Sequence, residues 1–188
     1  MTARTGFGEG VNELQAALAS EGAFASWYVL ALPRVYAYLL SRCGNDVTLA
    51  EELTQQAFIA AVDQRSRFDG RSDTVTWVCG IARHKLADHF RSLEREERRR
   101  IQLEVRQIEV DRSSADHAPR LDDRAAIADA LRSLPASQRA VLAFVVLDDL
   151  PIAEAARLMG RSPAATQSLL HRARAGFRRA YDGEAADD

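Results

Sequence analysis

Apolar positions recur along this chain at helical spacing, with few Gly or Pro inside the periodic stretches. A leading segment carries Val11, Leu14 and Leu18. Beyond it, Tyr36, Leu39, Leu40 and Cys43 fall at i, i+3, i+4 and i+7, which predicts a helix over about 22–43. Gly44-Asn45-Asp46 breaks that helix. A second helix, from about Thr48 to Gln64, puts Leu53, Ala57, Phe58, Ile59 and Val62 on a broad apolar side and leaves Glu51, Glu52, Gln55 and Gln56 outward. Phe68 to Asp73 is turn chemistry, and a third helix is expected from about Asp73 to Arg91 or beyond. Alanine is abundant and no Asn-Gly or Asp-Gly hairpin signal occurs, so no sheet is expected.

From Ser92 to Arg120 the composition turns to dense mixed charge, Glu94 to Arg100, and then to Ser113-Ser114-Ala115-Asp116-His117-Ala118-Pro119. A solvated helical extension followed by a flexible linker is the expectation, and with it a domain boundary. In the second domain Ile127, Leu131 and Leu134 are spaced four and three apart, and Pro135 stops that helix. Ala140 to Leu147 is too apolar for periodicity to separate helix from strand; Ser137 as a cap and the helical surroundings favour helix. The expected fold is all-α: two small helical domains joined by a flexible charged linker. The parts are an extension (1–21), a first domain (22–92), the linker (93–120), a second domain (121–181) and an acidic tail (182–188).

Residues 150–181 divide into a short helix, a tight turn and a longer helix. Gly160 stands where a helix C-terminus favours a left-handed residue, and Ser162-Pro163 is an N-cap followed by Pro at the first helical position. These are the parts of a helix-turn-helix. In its second helix Thr166, Leu170, Ala173 and Phe177 should face the core, leaving Gln167, Ser168, Leu169, His171, Arg172 and Arg174 outward. The N-terminal part of such a helix enters the major groove, where Gln and Ser bond base edges while arginines reach phosphate.

Composition narrows the class. With 47% hydrophobic and 28% charged residues the chain can build a real core. Its longest apolar run, Ala140 to Leu147, falls well short of the ~18 residues of a membrane span. No signal-peptide pattern opens the sequence, so a cytoplasmic location is expected. Cys43 and Cys79 form no disulfide or zinc pattern, His84 and His89 are wrongly spaced for one metal, and no glycine-rich phosphate loop is present. Neither an enzyme nor a cofactor is indicated. The net charge of −2 hides a segregation: Arg161, Arg172, Arg174, Arg178 and Arg179 stand without an acid between residues 161 and 181, while 182–188 hold four acids and no base. That basic stretch is a footprint for phosphate.

Leu134-Pro135-Ala136-Ser137-Gln138-Arg139-Ala140-Val141-Leu142, followed by the helix-turn-helix and Ser168-Leu169-Leu170-His171-Arg172-Ala173-Arg174, resembles the promoter-binding region 4 of sigma-70 family factors. Leu49 to Phe58 resembles the acidic polymerase-binding motif of region 2, and Thr76 to Arg91 resembles its melting and promoter-reading segment. Nothing resembles the larger intervening domain of primary sigma factors, which points to the compact extracytoplasmic function (ECF) group. The resemblance implies core RNA polymerase as a partner, through the coiled-coil clamp of its largest subunit and Glu51, Glu52, Gln55 and Gln56. It implies minus 10 contact and melting by Trp77, Arg83, His84, Lys85 and Asp88, with Phe68 and Phe90 as nearby aromatics. It implies minus 35 contact by Ser162, Ala165, Gln167, Ser168, Leu169, His171, Arg172 and Arg174, and an anti-sigma factor as a further partner.

The chain departs from that family pattern at five places. Leu49 and Gln56 replace acids of the polymerase-binding motif, His84 stands where Asn is common, and Gln167 and Leu169 stand where basic residues are frequent. A weaker or altered polymerase contact and a changed minus 10 sequence are expected, with either a larger share of minus 35 specificity for Gln167, Ser168, His171 and Arg172 or a weaker specificity outright. An outward Leu169 would contact a thymine methyl or pack on a partner protein. The alternatives are a helix-turn-helix regulator or sigma-like protein that does not direct initiation, and an all-helical interaction module.

Overall fold

A computed structural model describes the backbone of residues 20–104 and 123–185, and the side chains of 20–100 and 125–182. The elements are α1 (Glu21–Arg42), α2 (Val47–Asp63), a 3-10 turn (Arg65–Arg67), α3 (Thr74–Glu104), α4 (Asp123–Arg132), α5 (Ala136–Leu142), α6 (Ile152–Met159) and α7 (Pro163–Ala185). Among the described residues there is no strand. The chain divides into two compact units, one up to Leu86 and one from Ala87. The leading segment with Val11, Leu14 and Leu18, most of the expected linker and the end of the acidic tail lie outside the described residues.

In the first unit, Ser20 caps α1 by accepting from the Ala23 amide at 3.2 Å. Trp27, Ala31, Val35, Leu39 and Cys43 are buried at a strict spacing of four, so α1 presents one narrow seam to its neighbours. By length and composition α1 could cross a bilayer, and Val29 and Leu30 lie exposed on its other side. Its seam is nevertheless committed to the protein core. Gly44 and Asn45 take successive left-handed conformations (φ 67° and 58°) and reverse the chain. For a glycine this conformation carries no Cβ penalty. Asp46 then caps α2 by accepting from the Leu49 amide at 3.0 Å. Ala50, Leu53, Ala57, Phe58 and Ala61 form the buried side of α2, with the Phe58 ring set edge-on to Tyr28 and Trp27. Val78, Ala82 and Leu86 of α3 complete the core, again four apart.

Ile59 does not join that apolar side as expected from sequence; it is 57% exposed. The reason is angular: at 100° per residue, Ile59 follows Gln55 by one turn and so shares its outward direction. Likewise Ile127 is exposed on α4 although Leu134 is buried.

The second unit holds the C-terminal part of α3 and helices α4 to α7. Helix α3 continues to Glu104, so the described start of the expected linker is regular helix. The residue at the N-cap of α5 is Pro135, and Ser137 does not cap it, because the helix has already begun at Ala136. The apolar run is helical as expected, but after Leu142 it widens into a π-type turn, Ala143–Leu147. Ala140, Val141, Leu142, Ala143 and Phe144 are all buried there. Gly176 lets α7 lie close to its neighbours: an added Cβ would stand 2.9 Å from Leu134 Cδ2 and 3.0 Å from Gln138 Oε1.

Candidate nucleic-acid and protein interfaces

The turn between α6 and α7 is built by local hydrogen bonds. Gly160 closes α6 in a left-handed conformation (φ 64°, ψ 38°), and the Arg161 amide donates back to the Ala156 carbonyl at 2.9 Å. This 6→1 bond is the Schellman closure that a glycine at this position allows. Ser162 then starts α7: its Oγ accepts from the Ala165 amide at 3.2 Å, and its carbonyl accepts from the Thr166 amide and hydroxyl, both at 3.0 Å. Pro163 takes the first helical position, where no amide donor is needed.

Helix α7 buries Thr166, Leu170 and Ala173, as the spacing predicts, while Phe177 is half-buried. Ser162, Ala165, Gln167, Ser168, His171, Arg172 and Arg174 are exposed, and Arg178 and Arg179 extend the basic face. Leu169 departs from the sequence expectation. It is only 3% exposed and belongs to the buried stripe, because it lies three residues from Thr166 and four from Ala173. Leu169 therefore presents no side chain to a thymine methyl. Gln167, Ser168, His171, Arg172 and Arg174 line one shallow depression, where amide, hydroxyl, imidazole and guanidinium donors stand together.

On α2, Glu51, Glu52 and Gln55 are exposed, and the half-buried Gln56 donates through Nε2 to Glu52 Oε1 at 3.0 Å. Ile59 adds an exposed apolar side chain to this acidic face. Like charge repels DNA, so such a face suits protein. Ile59 neighbours the buried Phe58 in sequence, but its position one turn after the outward Gln55 marks it as exposed.

The expected minus 10 residues of α3 are placed less uniformly. Trp77 is half-buried, with its ring 5.1 Å from that of the buried Phe68. Phe68 and Phe90 are both core residues, so they are not exposed platforms for bases. Arg83 is half-buried and donates through Nε to the Tyr38 hydroxyl at 3.3 Å; Lys85 is half-buried and His84 exposed. Asp88 is exposed and ion-paired with Arg91. Trp77, His84 and Asp88 lie seven and four residues apart, on one side of the helix. Cys79 lies close by, and burial pushes its thiol above the ordinary range. A thiol held protonated at neutral pH is a poor nucleophile.

Residues 27–96 match the family model for Sigma-70 region 2, and residues 124–175 match that for Sigma-70, region 4. The ECF RNA polymerase sigma factor BldN of Streptomyces coelicolor is 34% identical over 157 residues, covering 80% of this chain and 57% of its own. The chain thus spans little more than half the length of that relative. The ECF RNA polymerase sigma factor SigF of Caulobacter vibrioides is 35% identical over 140 residues, 74% of this chain and 75% of its own. In fold, the chain is similar to the sigma factor RpoE solved in complex with the anti-sigma factor NepR from Bartonella quintana. That match has a TM-score of 0.52 and 24% identity, over 85% of this chain and 96% of that one. With both sigma regions matched in order, and curated relatives above 30% identity, the chain belongs to the sigma-70 family, in its ECF group.

Proposed function

We propose that this protein binds core RNA polymerase and directs promoter-specific transcription initiation. The observation that carries the proposal is α7: a capped helix after a left-handed turn that presents Gln167, Ser168, His171, Arg172 and Arg174 to solvent. Gln167 and Ser168 read base edges of the minus 35 element, and Arg172 and Arg174 hold phosphate or guanine. Glu51, Glu52, Gln55 and Gln56 meet the clamp coiled coil of the polymerase largest subunit. Trp77, Arg83, His84, Lys85 and Asp88 serve minus 10 recognition and strand opening. The functional boundaries are 22–92 for the first region and 121–181 for the second. An anti-sigma factor is a further partner, and the protein works in the cytoplasm without catalysing a reaction itself.

Run-off transcription with core polymerase tests the proposal. Promoter-specific transcripts from wild type, reduced at least ~10-fold by Arg172→Ala with Arg174→Ala, are expected from the loss of two base or phosphate contacts. Polymerase binding without any promoter-specific transcript would favour a sigma-like protein that does not initiate. No salt-dependent DNA binding at all would favour an all-helical interaction module.

A further inference from the structure

Of the five arginines between residues 161 and 181, Arg161 is turned away from solvent. Arg172, Arg174, Arg178 and Arg179 are exposed. The Arg161 side chain is 20% exposed and forms an ion pair through Nη2 with Oε1 of Glu94, itself 19% exposed. Arg161 Nε is buried and has no hydrogen-bond partner among the described residues, while Nη2 donates to the Glu94 carboxylate. Glu94 lies among the residues matched to region 2, on the part of α3 that belongs to the second compact unit together with Arg161. That part is well anchored. Phe90 is buried, the Arg139 guanidinium lies 5.8 Å from its ring centroid, and Phe90, Glu94, Ala140, Phe144 and Met159 line one small pocket.

Arg161 sits directly before the N-cap of α7. In a helix-turn-helix the residues at this end approach the DNA backbone, where amide and cationic donors bind phosphate. A guanidinium paired with a carboxylate offers those donors to the carboxylate rather than to phosphate. The pair is largely shielded, so salt screens it less than it screens the exposed arginines.

We propose that Glu94 is an affinity-determining residue for DNA: it holds Arg161 back from the phosphate backbone, so that DNA meets four arginines of this segment rather than five. The proposal rests on the reading of α7 as the DNA face. The competing role for the pair is a brace that merely stiffens the turn.

The two roles differ in the salt dependence of binding. The test uses the full chain and a mixed-sequence fluorescent duplex of about 30 base pairs, with affinity measured between about 50 and 200 mM salt. Each phosphate contact contributes about 0.9 to the slope of log affinity against log salt. Glu94→Gln should steepen the slope by about 0.9, a relative change of roughly threefold to fourfold across that range. Arg161→Ala alone should leave the slope unchanged, and Glu94→Gln with Arg161→Ala should return it to the wild-type value.

An unchanged slope in Glu94→Gln overturns the proposal, and so does a duplex that neither protein binds, because DNA then meets none of these arginines. So does a shallower slope in Arg161→Ala, which would mean Arg161 already touches DNA. A steepening that persists in the double variant also overturns it and assigns the new contact to Arg98, which donates to the same Glu94 oxygen at 2.8 Å. Should Glu94→Gln lose its helical circular dichroism, the Arg161→Ala slope decides alone: unchanged supports, shallower overturns. Arg172→Ala with Arg174→Ala separates this from the underlying reading. A wild-type slope in that variant would remove α7 as the DNA face, whatever Glu94 does.

Discussion

Trp27 and Thr74 tie the first helix to the start of the third: the indole Nε1 donates to Thr74 Oγ1 at 3.0 Å, and both residues are buried. A buried donor stripped of its acceptor costs about 1–3 kcal/mol, more than the net value of the bond itself. Thr74→Val should therefore lose about that much stability in urea unfolding. Combining it with Trp27→Phe should cost less than the sum of the two changes, because the orphaned donor leaves with the indole.

Asp73 stands just before Thr74 and caps α3. Its carboxyl is held below its ordinary value of 3.8, first by the Thr76 hydroxyl and then by the Thr76 amide, which donates to Oδ1 at 3.0 Å; Arg34 contributes less. A depressed carboxylate contributes stability that is complete above its unfolded value and is lost as pH falls through the lower folded value. Asp73→Ala should thus cost about 1 kcal/mol at neutral pH, the usual value of a cap. Unfolding curves of wild type and variant should converge below the folded value, and a difference that persisted there would show that the carboxylate charge is not responsible.

The residues that sequence placed well share one physical basis. Turns and caps depend on neighbours within four positions, so Gly160, Ser162 and Pro163 announced the helix-turn-helix, and Gly44 announced the end of α1. The acidic face was legible because two adjacent carboxylates, Glu51 and Glu52, followed one turn later by Gln55 and Gln56, have few ways to be buried. Aliphatic residues were harder, since Ile59 and Leu169 have the same side-chain chemistry and opposite exposures. Only the angular position relative to a known core residue separates them. Glu94 was invisible for a different reason: it is one of several acids in a charge-dense run, and its partner Arg161 is 67 residues away.

Leu169 gives that distinction a measurable form. As a buried side chain in α7, Leu169→Ala should cost about 2–5 kcal/mol, whereas Leu169→Met, which keeps the volume, should stay below about 1.5 kcal/mol. Binding-site selection with Leu169→Met should return the wild-type minus 35 preference. A changed preference at a thymine would put the side chain back on the DNA surface.

Ile59 is the counterpart on α2. An exposed aliphatic side chain among Glu51, Glu52 and Gln55 has little effect on the stability of the free protein, and Ile59→Ala should change unfolding by less than about 0.5 kcal/mol. If polymerase covers the acidic face, the same side chain is buried on binding, which contributes about 1.5–3 kcal/mol for a residue of this size. Acids supply orientation and encounter rate, while an apolar group covered by the partner supplies residence time. Ile59→Ala should therefore speed dissociation from core polymerase by at least ~10-fold in surface plasmon resonance, since interface changes act mostly on the off-rate. Glu51→Lys with Glu52→Lys should instead slow association, and more so at low salt. A dissociation rate unaltered by Ile59→Ala, alongside a slowed association in the charge-reversed variant, would place the apolar position outside the contact and leave the acids within it.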